Sequence, residues 1–226
     1  MTTTDAPVIT IDGPVGSGKS TLGRMLAERL NILYLDTGAM YRTVGLAARE
    51  QGITADDDGA LGQLCEKIQI TFKRENDRQH VFLNDTDVTD AIRLPEVSML
   101  ASAVSAQPSV RKAMVTQQRT CAEGGLVADG RDAGTVIFPG APFKFYLDAS
   151  VEVRARRRYK ELIDKNITIE YTSLLEEIEQ RDHNDTTRLH SPLKPAPDAV
   201  IIDTSQMTIE DVLAALITQI EHKRLL

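Results

Sequence analysis

The segment from Gly13 to Ser20 has the residue types and spacing of a loop that binds the phosphates of a nucleoside triphosphate. It satisfies the pattern G-x-x-x-x-G-K-[ST] and reads Gly13-Pro14-Val15-Gly16-Ser17-Gly18-Lys19-Ser20. Glycines allow backbone N–H groups to point inward around phosphate oxygens, in conformations that a side chain would block. Lys19 can follow the β- and γ-phosphates of ATP, and the Ser20 hydroxyl is placed to bind Mg²⁺. We therefore expect residues 13–21, which include Thr21, to bind ATP together with Mg²⁺.

The surroundings of this loop distinguish a nucleotide site from a glycine-rich turn that matches by chance. The β-branched run Val8–Asp12 precedes the loop and predicts a buried strand. From Ser20 to Leu30 the apolar residues recur at helical spacing. A strand, a loop and a helix in this order bring the loop amides and the positive end of the helix dipole to a phosphate.

Phosphate loops occur in several classes of protein, and the rest of the chain favours a kinase. A GTPase is expected to carry an Asn-Lys-x-Asp run late in the chain, and the sequence contains none. Arginines instead stand at predicted strand and helix ends, where a second phosphorylated ligand would need them. Arg42 and Arg131 suit binding of an acceptor phosphate, because arginine binds phosphate through two parallel hydrogen bonds. The alternative for each is a surface ion pair.

Two charged stretches late in the chain have two interpretations each. Arg181, Asp185 and Arg188 have the spacing i, i+4 and i+7, which places them on one face if the helix extends to Arg188, either as an ion-pair ladder or as ligands of a nucleotide. The basic run Arg154–Lys160 is typical of a solvated helix face. In a lid the same run would cover the transferred phosphoryl group, and Arg157 suits that role best.

Five short apolar runs predict the strands of a parallel sheet. They are Val8–Asp12, Ile32–Asp36, Leu126–Asp129, Phe143–Leu147 and Ala199–Asp203. Helical patterns alternate with them, as a doubly wound sheet requires. Ile68–Arg74 and His80–Leu83, joined by a polar turn at 75–78, predict a small antiparallel unit. The predicted fold class is α/β, a P-loop NTPase with a five-stranded parallel sheet flanked by helices, a small antiparallel insertion and a helical lid.

We expect three parts along the chain. The core comprises residues 1–64, 100–150 and 191–226. The insertion, in the lobe that binds the monophosphate, comprises residues 65–99. The highly charged segment 151–190 forms the lid.

Composition restricts the function classes. The 226 residues carry 26 Lys+Arg and 33 Asp+Glu, and the net charge of −7 argues against general nucleic-acid binding, which needs a broad basic surface. Cys65 and Cys121 have no metal-ligand spacing and are interpreted as thiols in a reducing compartment. Residues 1–10 have no signal-peptide character, and no segment approaches the roughly 20 apolar residues of a membrane span. We expect a cytoplasmic protein without nucleic-acid or membrane partners, and a monomer.

Two motifs resemble the signatures of bacterial cytidylate kinases. They are Asp36-Thr37-Gly38-Ala39-Met40-Tyr41-Arg42 after the second strand and Asp129-Gly130-Arg131-Asp132-Ala133-Gly134-Thr135 after the third. Ser102 with Arg111, the basic stretch near Arg157 and the segment 181–188 fit the same family in the same order. The resemblance extends from about Pro7 to the last helix. It implies phosphorylation of CMP and dCMP with ATP and Mg²⁺, on a core with a mobile monophosphate-binding lobe and a lid.

The resemblance also implies roles for individual residues. The implied catalytic residues are Lys19, Asp129, Arg131, Arg157 and Arg188. The implied CMP contacts are Thr37, Tyr41, Arg42, Ser102, Arg111, Arg131, Asp132, Arg181, Asp185 and Arg188. Ser102, Arg111 and Asp132 supply the donors and acceptor that select cytosine over uracil. Asp129 either orients Mg²⁺ or the acceptor phosphate, or caps the following turn.

Two positions depart from the family pattern. Ser20-Thr21 stands where many nucleoside monophosphate kinases have Gly-Thr, so either hydroxyl is a candidate for the metal. Val15 stands where a small polar residue is common, and little effect is expected from it. Two other hypotheses are a kinase for another small acceptor, such as UMP or shikimate, and a nucleotide-binding switch without acceptor-dependent turnover.

Overall fold

The computed structural model describes residues 6–75 and 78–224. Residues 1–5 and the centre of the predicted turn, Asn76-Asp77, lie outside the described residues. The chain divides into two compact units, and the boundary between Tyr34 and Leu35 falls inside the second strand. The first unit contains the described residues up to 34 and from 123 onward, and the second contains 35–122.

The described residues form eight strands and eight α-helices. The strands are β1 (Val8–Asp12), β2 (Leu33–Asp36), β3 (Ile70–Glu75), β4 (Arg78–Leu83), β5 (Thr86–Asp87), β6 (Leu126–Gly130), β7 (Phe143–Asp148) and β8 (Val200–Asp203). The helices are α1 (Lys19–Leu30), α2 (Thr37–Glu50), α3 (Asp58–Lys67), α4 (Pro95–Val104), α5 (Pro108–Thr120), α6 (Val151–Asp164), α7 (Tyr171–Thr187) and α8 (Ile209–Arg224). A 3₁₀ turn (Ala91–Arg93) precedes α4, and a short π-helical segment (Ala133–Ile137) follows β6.

The parallel sheet has the strand order β2-β6-β1-β7-β8, which confirms the predicted fold class. β1 pairs in parallel with both β6 and β7, and Asp12 lies opposite Gly130 in the first pair. Ile9 and Ile11 are fully buried in a core that also contains Leu26 of α1 and Leu216 of α8. Because β1 and β6 are parallel neighbours, the phosphate loop and the segment that begins at Arg131 both follow the carboxyl ends of their strands, on the same side of the sheet.

A separate apolar cluster holds α6 and α7 together. Its buried members are Ala155, Leu162, Leu174 and Ile178. The whole of both helices belongs to the first unit. Among the described helices, none combines the length and the apolar character that a bilayer crossing requires.

The second unit contains helices α2 to α5 and the predicted antiparallel sheet. β3, β4 and β5 form this sheet in sequence order, and Ile70 pairs with Leu83 at one end of the β3–β4 ladder. The third strand, β5, was not among the predicted strands of this unit. Pro95 and Pro108 each begin a helix, because the N–H that proline lacks has no partner in the first turn of a helix.

Candidate active site

The phosphate loop adopts backbone conformations that only glycine takes readily. Gly16 has φ of 77° and Gly18 has φ of 91°, both in the left-handed region. Gly18 is the N-cap residue of α1 and has no side chain with which to bind the first amides of the helix. These amides and the positive end of the helix dipole suit a phosphate group.

Lys19 is buried at the start of α1, with 5% of its surface exposed. Its Nζ donates to the Pro14 carbonyl oxygen at 2.5 Å and to Ser17 Oγ at 3.3 Å. Burial lowers the pKa of Lys19 well below its usual value, and the nearby charges of Arg131 and Arg181 lower that pKa further. Asp129 and Asp12 act in the opposite direction. The positive charges of these three side chains repel one another, and an anion that binds among them would relieve that repulsion.

Ser20 and Asp129 place two oxygen ligands beside the loop. The Ser20 hydroxyl donates to Asp129 Oδ2 at 2.6 Å, and Asp129 is 4% exposed at the end of β6. Mg²⁺ prefers oxygen ligands and usually takes one or two from the protein, with the rest from water and substrate phosphates. The pair fits that requirement, and Thr21 is exposed next to it. Within the described ranges, no group of three or more His, Cys, Asp or Glu side chains could hold a metal ion.

An ion-pair network joins the segment after β6 to the end of α7. Arg131 Nε donates to Asp185 Oδ2 at 2.8 Å. Arg188 lies 3.8 Å from Asp185 and 3.7 Å from Asp132, measured between guanidinium nitrogens and carboxylate oxygens. Burial acts to raise the pKa of Asp185, but Arg131, Arg181 and Arg188 together hold that pKa below its usual value. The structure thus brings together seven predicted site residues from the first unit, namely Lys19, Asp129, Arg131, Asp132, Arg181, Asp185 and Arg188.

Asp12 binds the backbone that directly follows Asp132 and was not among the predicted site residues. It is 2% exposed, and its two carboxylate oxygens accept hydrogen bonds from the Ala133 amide at 2.8 Å and the Gly134 amide at 2.7 Å. Burial raises the pKa of Asp12 to about 6, although the two amides act in the opposite direction. The available signal was its position, because it ends β1 immediately before the loop and ligands of parallel sheets gather at strand ends.

The basic run on α6 contains two residues with different surroundings. Arg157 does not join the network around Arg131, because it donates to Thr204 Oγ1 at 3.0 Å and to the Thr204 carbonyl oxygen at 2.6 Å. Arg154 is instead the buried member of the pair, at 5% exposure, and it donates to the carbonyl oxygen of Val15 in the phosphate loop at 3.1 Å. Nothing in the sequence distinguishes Arg154 from its basic neighbours.

In the second unit, Asp36 organises the start of α2. Its Oδ1 accepts from the Ala39 amide at 2.8 Å as the N-cap of the helix, and its Oδ2 pairs with Arg42 Nη2 at 2.8 Å. Thr37, the first residue of α2, is buried. Asp36 therefore fixes the position of the Arg42 guanidinium beside the first turn of α2, the turn that contains Thr37.

The predicted base contacts of the second unit are grouped around Arg111. Its guanidinium lies over the Tyr41 ring, 5.4 Å from the ring centroid, and donates to the Ser105 carbonyl oxygen at 3.0 Å. Ser105 Oγ in turn donates to the Ser102 carbonyl oxygen at 2.8 Å. Arg111 is 4% exposed, so this side chain is held in place by α2 and by the turn between α4 and α5.

The parallel sheet, the glycine loop and the Lys19, Ser20 and Asp129 group define a P-loop nucleotide-binding protein. Comparison with known proteins narrows this class. The model of the cytidylate kinase family matches residues 9–222, and the chain belongs to that family. The chain is therefore a member of a family of kinases, and the resemblance noted in its motifs is confirmed.

Individual relatives agree with this assignment. The chain is 48% identical over 218 residues to "Cytidylate kinase" of Syntrophotalea carbinolica, which covers 96% of this chain and 93% of that protein. It is 48% identical over 207 residues to "Cytidylate kinase" of Geobacter sulfurreducens, with 91% and 89% covered. Among solved structures, an uncharacterized protein from Eubacterium ventriosum superimposes with a TM-score of 0.52 at 12% identity, covering 95% of this chain and 98% of the other. That likeness concerns the fold alone.

Proposed function

We propose that this chain phosphorylates CMP and dCMP by in-line transfer of the γ-phosphoryl group of ATP, with Mg²⁺. The observation that carries the proposal is that the charges of Arg131 and Arg181 act on the buried Lys19, an arrangement that an anionic substrate stabilises. Relatives named cytidylate kinase at 48% identity support the choice of CMP as the acceptor.

On the donor side, the loop amides and Lys19 bind the ATP phosphates. Lys19 Nζ exchanges the Pro14 carbonyl oxygen for phosphate oxygens, because a charged partner forms the stronger hydrogen bond. Ser20 and Asp129 hold Mg²⁺, which neutralises negative charge on the phosphates when it is bound. The 2.6 Å separation of these two oxygens supports Ser20 over Thr21 as the hydroxyl ligand.

On the acceptor side, the arginines replace carboxylate partners with phosphate. Arg42, Arg131 and Arg188 bind the CMP phosphate, and each is paired with an aspartate in the structure. Because that phosphate is already ionised near neutral pH, the reaction needs no strong general base. Positioning and charge neutralisation then supply the rate acceleration.

The remaining acceptor contacts give the specificity. Ser102, Arg111 and Asp132 bind the cytosine edge, and a base with the opposite donor pattern leaves them without partners. Arg181 and Asp185 bind the ribose hydroxyls. Thr37 and Tyr41 complete the acceptor contacts.

The segment 151–190 acts as the lid in this proposal, with 65–99 as the insertion and the rest of the chain as the core. Exclusion of water is required, since ATP would otherwise be hydrolysed. Arg157 acts on the phosphoryl group only if it leaves Thr204. Its catalytic role therefore stays a prediction that depends on movement of α6.

A coupled assay with CMP, dCMP, UMP, AMP and shikimate tests the proposal. We expect ADP formation to depend on CMP or dCMP and to require Mg²⁺. A clear preference for UMP, AMP or shikimate would overturn the acceptor assignment. Slow ATP hydrolysis that ignores every acceptor would favour a nucleotide-binding switch. Lys19→Gln, prepared in parallel, controls for contaminating kinases, because its preparation should show no acceptor-dependent turnover.

A further inference from the structure

The tip of the phosphate loop is attached to helices α6 and α7 through the side chain of Val15. This side chain packs against the apolar cluster of α6 and α7, whose buried members are Ala155, Leu162, Leu174 and Ile178. A small polar residue at position 15 would lose this apolar contact. The valine therefore ties the loop to a helix pair far along the chain.

The backbone of the same residue has a second attachment to these helices. The buried guanidinium of Arg154 donates to the Val15 carbonyl oxygen at 3.1 Å and to the Ala149 carbonyl oxygen at 2.9 Å. Its Nη2 forms an ion pair with Asp182 Oδ2 on α7 at 2.6 Å. One side chain thus links the loop, the start of α6 and the middle of α7. Arginine suits this position because its planar donors point in several fixed directions.

The close approach of α6 to the loop requires glycine at the next position. A Cβ on Gly16 would lie 2.9 Å from the backbone oxygen of Arg154 and 3.0 Å from its Cβ. Because the loop and α6 are in direct contact here, any shift of the loop on binding phosphate would displace α6. Packed elements at this distance move together or separate, and do not deform continuously.

Asp182 lies on α7 between Arg181 and Asp185, to which the proposed function assigns ribose contacts. From these contacts we propose that Val15, Arg154 and Asp182 are positioning residues that couple the donor loop to α7, so that a nucleotide on the loop stabilises the acceptor-binding end of that helix. This inference rests on the proposed function. It adds a structural link through which ATP on the loop would order Arg181 and Asp185 before the acceptor binds. Couplings between sites typically change affinity or opening by roughly 5- to 150-fold.

Hydrogen–deuterium exchange of the whole chain, with and without Mg²⁺ and ADP, tests the coupling without any acceptor. ADP affinity is measured first by calorimetry. In the parent protein, saturating ADP should slow exchange of α7 amides by roughly fivefold or more. In Asp182→Asn, Arg154 keeps its two carbonyl acceptors, so ADP affinity should stay within about threefold while the slowing of α7 falls below about twofold. Val15→Ser should weaken the slowing in the same direction.

Glu179→Gln is the matched control, because Glu179 is exposed on the same helix and the change removes the same charge. It should retain the full ADP effect. If ADP binds the parent and leaves α7 exchange unchanged, or slows it equally in Asp182→Asn, the coupling is wrong and the kinase assignment stands. If ADP does not bind the parent, the donor half of the proposed function fails, and the coupling fails with it. If Asp182→Asn does not fold, Val15→Ser tests the same route, and full slowing of α7 in Val15→Ser would contradict it.

Discussion

Asp12→Asn should remove a pH dependence of stability that the buried carboxylate creates. Burial raises the pKa of Asp12 from its ordinary 3.8 to about 6 in the folded chain. Between these values the folded state binds the proton more tightly than the unfolded state does. The stabilisation that the neutral carboxyl contributes is therefore complete below pH 3.8 and is lost as the pH rises through about 6. The whole effect corresponds to about 3 kcal/mol, and about half of it falls between pH 5 and 7.5.

Asparagine cannot ionise, so the variant does not lose stability at this position as the pH rises. It also has a constant penalty, because its amide oxygen accepts from one of the Ala133 and Gly134 amides and leaves the other buried N–H unpaired. Such a penalty is about 1–3 kcal/mol and does not depend on pH. The quantity to examine is therefore how the difference between variant and parent changes with pH.

Thermal unfolding of both proteins at pH 5.0 and 7.5, without nucleotide, measures this quantity. For a chain of this length 1 kcal/mol shifts Tm by roughly 2–4 °C, so Asp12→Asn should gain about 3–6 °C relative to the parent over this range. Glu179→Gln, which changes an exposed carboxylate, should show little relative gain. A difference between Asp12→Asn and the parent that is the same at both pH values would refute the reasoning.

Three further variants test separate parts of the site. Arg131→Ala should lower kcat/KM for the acceptor by roughly 10²-fold or more while Tm changes little. Arg158→Ala, which removes a partly exposed arginine paired with Glu161, serves as control. Unchanged kinetics in Arg131→Ala would exclude a role of Arg131 in phosphate binding. Ser20→Ala should raise the Mg²⁺ concentration needed for half-maximal rate more than Thr21→Ala does, and the reverse order would assign the metal to Thr21. Gly16→Ala should weaken ADP binding and lower Tm, since its φ of 77° and the nearby α6 backbone oppose a Cβ; calorimetric affinity equal to the parent's would contradict this.

Features that depend on contiguous residues could be predicted from the sequence. The loop from Gly13 to Ser20 and the strand and helix around it follow from local composition and periodicity, and the structure has each within one residue of the prediction. The family assignment likewise follows from short motifs, such as the one that begins at Asp129. These patterns can be recognised in the sequence because a few neighbouring residues specify a backbone conformation or a metal ligand.

Burial and pairing across the chain were decided only by the tertiary structure. Arg154 and Arg157 belong to one basic run, yet one supports the phosphate loop and the other binds Thr204. Asp12 binds amides that lie more than 120 residues further along the chain, and Arg131 pairs with Asp185 across 54 residues. Residue type sets what a charged side chain can bind, but packing of distant segments sets whether it is desolvated and which partner it meets. The nucleotide loop is thus encoded locally, whereas the charges that surround it acquire their roles only when the sheet and α7 are assembled.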